Sequence, residues 1–264
     1  MSALLLISLL VMAPSSQLAS AQHFTPVVAR ETAYRDSFGF IHIVAEIINR
    51  TQKPITNIKV KATLKDKDGA LVGIHVFDPS PEYPKLTLQS QSAVGVHGIV
   101  FDAIESQKAS TFDLNLQFDE GIIKERTLTI TQSNFYSGDS GVWKVVGEIR
   151  NSGDMTARST FIIVTLFEES TIHPEGMTEP VTLKKVVGVE TIAVGDIESE
   201  ESVPFSLTAQ VPTSQIVGAV DIYAESTNSV VVPEFPLSAT VILLGILGSI
   251  VCLNRSGYFH RVLP

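Results

Sequence analysis

The chain repeats itself at long range, and this limits its possible folds more than any composition value. Ile43-Val44-Ala45-Glu46-Ile47-Ile48-Asn49 matches Val145-Val146-Gly147-Glu148-Ile149-Arg150-Asn151, and the offset of 102 residues continues without a gap to Thr63-Leu64 and Thr165-Leu166. Tyr34 and Gly39 meet Tyr136 and Gly141 at the same offset. A second block, Val94-Gly95-Val96 through Ile104-Glu105-Ser106 to Phe112 and Leu114, aligns with Val187-Gly188-Val189, Ile197-Glu198-Ser199, Phe205 and Leu207 at an offset of 93. Solenoid units repeat every 20–50 residues or so, so a unit of this length is a duplicated domain.

Each copy reads as β structure. Ile41, Ile43, Ala45 and Ile47 alternate with more polar neighbours, and Ile58, Val60, Ala62 and Leu64 alternate with Lys59, Lys61, Thr63 and Lys65. That period of two marks half-buried strands. Breakers separate the strands at Asn49–Pro54, Asp68-Gly69, Pro79–Pro84 and Ser152-Gly153-Asp154. The expectation is an all-β chain of two tandem β-sandwiches, copy one over residues 24–131 and copy two over 132–231. Thr127–Gln132 fits a closing strand of copy one, yet Thr129-Ile130-Thr131 also aligns with Val27-Val28-Ala29 at the start of copy two. The very short linker suggests sandwiches stacked end to end.

The two ends suggest export and anchoring. Ala3–Met12 is apolar but too short to span a bilayer, and Ala19-Ser20-Ala21 offers a cleavage site, so residues 1–21 read as a signal peptide. Leu237–Leu253 is an uncharged apolar run near the short limit for a transmembrane helix. Arg255 and Arg261 follow it and orient residues 254–264 as a cytoplasmic tail. The part between the ends then lies outside the cell membrane with 17 basic and 28 acidic residues, a net charge of −11. Such a field repels phosphate backbones and argues against a nucleic-acid partner. The one cysteine, Cys252, lies in the apolar run, so the exterior part has neither a disulfide nor a thiol nucleophile.

Two resemblances follow from these residues. The Glu-Ile-x-Asn segment with its following strand and turn, at Ala45–Gly69 and Gly147–Glu168, resembles the FxLYD and related immunoglobulin-like domains of prokaryotic surface proteins. Pro233-Glu234-Phe235 before an apolar tail and basic residues resembles the PEF-type C-terminal sorting signal of archaeal exported proteins. The first implies two tandem immunoglobulin-like domains. The second implies a tail exchanged for a lipid anchor, or otherwise kept as a single-pass helix.

Candidate chemistry is sparse. Asp66-Lys67-Asp68-Gly69 opens like a calcium loop, but no closing Glu follows and the stretch reads as a hairpin turn. Glu198-Ser199-Glu200-Glu201 reads as a solvated loop. Histidines 23, 42, 75, 97, 173 and 260 lack the short spacings of a zinc or copper site, and no cofactor motif is present. Asn49-Arg50-Thr51 is a glycosylation sequon in an expected turn.

The copies differ most informatively on one strand. Lys59, Lys61 and Lys65 of copy one become Phe161, Ile163 and Phe167 of copy two. Three large apolar side chains on one sheet face make either an exposed interaction face or a face covered by Ser170–Thr182 or by copy one. The expected function is a non-catalytic, membrane-anchored surface protein whose domains serve adhesion, envelope assembly or protein–protein interaction. The alternative is a cation- or solute-binding accessory subunit of a membrane complex.

Overall fold

The computed structural model describes residues 25–79, 85–173 and 179–231. The signal peptide, the 237–253 span, the 254–264 tail and Pro233-Glu234-Phe235 lie outside the described residues. Within them the protein is all-β, and no helix is long and apolar enough to cross a membrane. The first half contributes β1 (Val27–Arg35), β2 (Ile41–Ile48), β3 (Ile55–Lys65), β4 (Leu71–Phe77), β5 (Thr87–Leu88), β6 (Ala93–Val100) and β7 (Thr111–Glu120). A single short helix, α1 (Ala103–Lys108), is capped by Asp102, whose side chain accepts from the Ile104 and Glu105 amides. The second half contributes β8 (Glu125–Ser137), β9 (Val142–Asn151), β10 (Ala157–Ile172), β11 (Val181–Ile197), β12 (Ser202–Gln210), β13 (Ala219–Glu225) and β14 (Ser229–Val231).

Each half is sandwich-like. In the first, β1-β2-β6 faces a sheet in which β3 is flanked by β4, β5 and β7; in the second, β8-β9-β12 faces β11-β10-β13, and β14 joins the two sheets. The repeat is real at the level of register. Tyr34 pairs with His42 as Tyr136 pairs with Lys144, and each first strand carries a bulge at the equivalent place, between Ala29 and Thr32 and between Ile130 and Gln132. The following turn recurs too: Asp36 N–H bonds the Phe40 carbonyl, Gly138 N–H bonds that of Val142, and Gly39 and Gly141 both take positive φ.

The second block of the repeat aligns differently in space. Ile47 pairs with Val94, whereas Ile149 pairs with Val203, so the repeat equivalent of β6 is β12 at an offset of 109 residues. The sequence match at 93 set Val94-Gly95-Val96 against residues of β11, which belongs to the other sheet. The difference lies in the β10–β11 hairpin, where strands of 16 and 17 residues replace the 11 and 7 of β3 and β4. β8 pairs with β9 along its length, so Thr127–Gln132 opens the second half rather than closing the first.

The halves lie face to face, not end to end. β1-β2-β6 packs its second face against β10 and β11, and one continuous core runs from Val44, Val94 and Val96 through Phe161, Ile163 and Phe167 to Val145, Ile149 and Leu207. The strands therefore form four layers, with β1-β2-β6 and β11-β10-β13 as the inner two. This explains why β2 buries Val44 and Glu46 as well as Ile43, Ala45 and Ile47. Gly95 sits at the closest approach, where a Cβ would overlap Thr165 and Val189 of the other half.

Candidate functional site

Phe161, Ile163 and Phe167 are fully buried, each with 0% exposure. The expectation of an exposed interaction face is corrected: copy one covers them. Arg30 of β1 and Lys184 of β11 both approach the Phe167 ring, at 5.7 and 5.4 Å from its centroid. The equivalent residues Lys59, Lys61 and Lys65 sit on an outer layer, Lys59 exposed and Lys61 and Lys65 half-buried, so charge is tolerated there.

Asn49 is likewise buried, which corrects its reading as a glycan acceptor. Its Nδ2 donates to the Lys53, Leu88 and Gln89 carbonyls at 2.8, 3.0 and 3.1 Å, and its Oδ1 accepts from the Thr51 amide and hydroxyl. A glycan on that nitrogen is incompatible with this packing. Asn151 repeats the arrangement, donating to Met155, Ile197 and Glu198. The asparagine shared by the two copies is thus a latch tying the turn after the second strand to the segment before the strand that pairs with it. Replacing Asn49 with Asp sets a carboxylate against three carbonyls, and chemical denaturation is expected to show a loss of about 3 kcal/mol or more. The same change at exposed Asn134, with no such partners, is expected to cost under about 0.5 kcal/mol.

Polar clusters ring the junction of the inner layers. On one side, Arg30 Nη1 lies 2.9 Å from the Glu46 carboxylate, and burial raises the Glu46 pKa despite Arg30 and Lys184. Its repeat partner Glu148 is on an outer layer and accepts from Thr131 instead. On another, His42 Nδ1 and His97 Nε2 are 2.9 Å apart, His42 Nε2 is 3.1 Å from Asp36, and Tyr34 stacks on His42 at 4.9 Å. These histidines are 55 residues apart, and only the pairing of β2 with β6 brings them together. The tautomer decides which ring donates between His42 and His97, and the Asp36 carboxylate accepts from His42 Nε2.

Burial and then the neighbouring His42 push the His97 pKa down to about 4. Desolvation works to raise Asp36, but hydrogen bonds from His42 and the Phe40 and Phe38 amides outweigh it and hold the carboxyl low. Burial, then Glu190 and Asp36, push Tyr34 up to about 12, and burial raises Glu190. Among the described residues, no group of three or more His, Cys, Asp or Glu is placed to hold a metal ion. The Asp66–Gly69 stretch is a turn in which Asp66 accepts from the Asp68 and Ala70 amides.

The third cluster joins three separate parts of the chain. Glu225 on β13 is fully buried and accepts from the Thr87 amide on β5 at 2.9 Å, from Tyr223 at 3.3 Å and from Lys124, which lies between the halves. Lys124 also donates to the Ser226 carbonyl at 2.7 Å, and Tyr223 to the Thr87 carbonyl at 2.9 Å. Burial pushes the Glu225 pKa up to about 7, against the pull of Lys124. No short-range pattern in the sequence marks these five residues. Only the third cluster ties the halves together by hydrogen bonds, between Thr87 of the first and Tyr223 and Glu225 of the second, whereas the Arg30–Glu46 and His42–His97–Asp36 groups bond within the first half.

No protein-family model and no curated sequence matches the chain. Among solved structures it is similar to a transglutaminase of red sea bream at 8% identity and a TM-score of 0.21, over 80% of this chain and 32% of that one. It is similar to β-glucuronidase 2 of Bacteroides uniformis at 15% identity and a TM-score of 0.25, over 75% of this chain and 25% of that one. The chain spans a third or less of these proteins, and similarity this low carries no argument about activity.

Proposed function

We infer that the protein is a non-catalytic, membrane-anchored surface protein built on a pair of immunoglobulin-like domains that serve adhesion, envelope assembly or other protein–protein contact. The observation that carries this reading is the continuous core between the halves. Tandem domains on a flexible linker sample many orientations, whereas a shared core holds outer sheet faces and edges in one geometry, as a binding platform requires. Buried Tyr223 and Glu225 support it further, since their hydrogen bonds with Thr87 join the halves.

Cross-linking mass spectrometry on native membranes tests the reading. The expected result is cross-links from exposed lysines such as Lys59 and Lys144 to other envelope proteins, together with loss of residues 25–231 when intact cells are treated with protease. Recovery of the chain in the cytosolic fraction, resistant to protease until lysis, would overturn it.

A further inference from the structure

β4 is a sheet edge with little of the protection that edges ordinarily carry. Among the described residues its only ladder partner is β3. Its sequence, Leu-Val-Gly-Ile-His-Val-Phe, holds no Lys, Arg, Asp, Glu or Pro, whereas edges are usually blunted by charge or proline. The ladder's one bulge lies at the strand's first residues, between the pairings of Leu64 with Gly73 and Lys65 with Leu71, and leaves Ile74–Phe77 regular.

One side of the strand is occupied. His75 Nε2 lies 2.6 Å from the Glu105 carboxylate on α1, Gly73 leaves room for the same carboxylate, and Phe77 covers Gly98. The other side is bare: Leu71, Ile74 and Val76 remain 63%, 49% and 55% exposed. Beside them on β3, Val76 pairs with Lys61 and Ile74 with Thr63. Lys65 is paired with Asp113, but Lys59 and Lys61 have no ion-pair partner among the described residues.

The chemistry of the occupant follows from these features. A row of free main-chain N–H and C=O groups is matched by an extended backbone. Apolar side chains on the outward face are needed to cover Ile74 and Val76. A strand added to β4 lies about 10 Å from β3, which lysine and glutamate side chains together span across Val76. A second copy fits less well, because two-fold pairing would set two Lys59–Lys61 rows on one continuous face of chains that each carry a net charge of −9. We propose that the open edge of β4 binds an extended strand of a partner protein bearing apolar and acidic side chains on its outward face, adding it to the sheet as the next strand. This deepens the reading as an interaction protein and rests on it.

The test uses purified full-length chain and a labelled nine-residue peptide with Thr at alternate positions and Ile, Glu, Val, Glu between them. Fluorescence anisotropy is expected to show saturable binding, at least tenfold weaker for the peptide with Lys in place of Glu and for one N-methylated at alternate amides. Ile74→Lys with Val76→Lys is expected to abolish binding with melting unchanged, and Lys61→Glu to reverse the preference between the Glu and Lys peptides. Absence of saturable binding, or equal binding of the N-methylated peptide, would overturn the proposal. So would a dimer, seen by light scattering, that Ile74→Lys dissociates, since a second copy would then occupy the edge. Cellular location does not enter this measurement, so its failure and failure of the surface reading are told apart.

Discussion

Phe161→Lys and Phe167→Lys are each expected to lower the stability of the protein by about 4 kcal/mol or more, since removing a buried phenylalanine alone costs roughly 3–5 kcal/mol. The added ammonium would lie in the buried core between the halves, where the nearby carboxylates are already engaged, Glu225 opposite Phe161 by Lys124 and Glu46 by the Arg30 that lies over Phe167, which adds a desolvation penalty. For a chain of this size the melting temperature should fall by roughly 10 °C or more. The control is the reverse change at the position equivalent to Phe161, Lys59→Phe, which is exposed on an outer layer and is expected to move melting by only a few degrees. Unchanged melting of Phe161→Lys, measured by calorimetry, would show that the face is not covered in solution. The repeat carries the same contrast: the outer layer has Lys59, Lys61 and Lys65 where the inner one has Phe161, Ile163 and Phe167.

The second large effect is expected at Lys124. Lys124→Met leaves the Glu225 carboxylate buried without its cation, and breaking one side of a buried ion pair typically costs about 3–5 kcal/mol. The pH dependence identifies the cause. Burial raises the folded pKa of Glu225 to about 7, above the ordinary glutamate value near 4.5. A carboxyl with a raised folded value is favoured in its protonated form, so its contribution to stability is fully present below about pH 4.5 and is lost as pH rises through 7. Removing Lys124 raises the folded value further. The penalty of Lys124→Met, read by denaturation, is therefore expected to be smaller at pH 5 than at pH 8. Glu225→Gln in the Lys124→Met background should flatten the difference. A penalty equal at both pH values would place the loss in packing by the lysine stem and not in charge.

Much of the strand structure was legible in the chain. The alternation at Ile41–Ile47 and Ile58–Leu64 named the buried face of β3 and one of the two buried faces of β2, because a strand sends successive side chains to opposite sides. The offset of 102 residues carried over to register, bulge and turn, because local backbone geometry follows local sequence. Asn49 and Asn151 stood at matching places, but a sequon shows only the residue types. That Nδ2 faces three carbonyls depends on segments about 40–50 residues away.

Other parts were beyond any local pattern. Alternation states which side of a strand a residue occupies and is silent on whether another layer lies over that side. Thus Phe161, Ile163 and Phe167 could be named as one apolar face, but their burial required the docking of β1-β2-β6 upon them. The pairs His42–His97 and Lys124–Glu225 join residues 55 and 101 apart in the chain, and no spacing rule reaches across such distances. The sequence by itself determined two copies of a β unit, their shared strands and turns, and the contrast between a basic and an apolar face. The tertiary structure alone decided that the copies share one core side by side, because face-to-face packing is set by complementarity between surfaces distant in the chain.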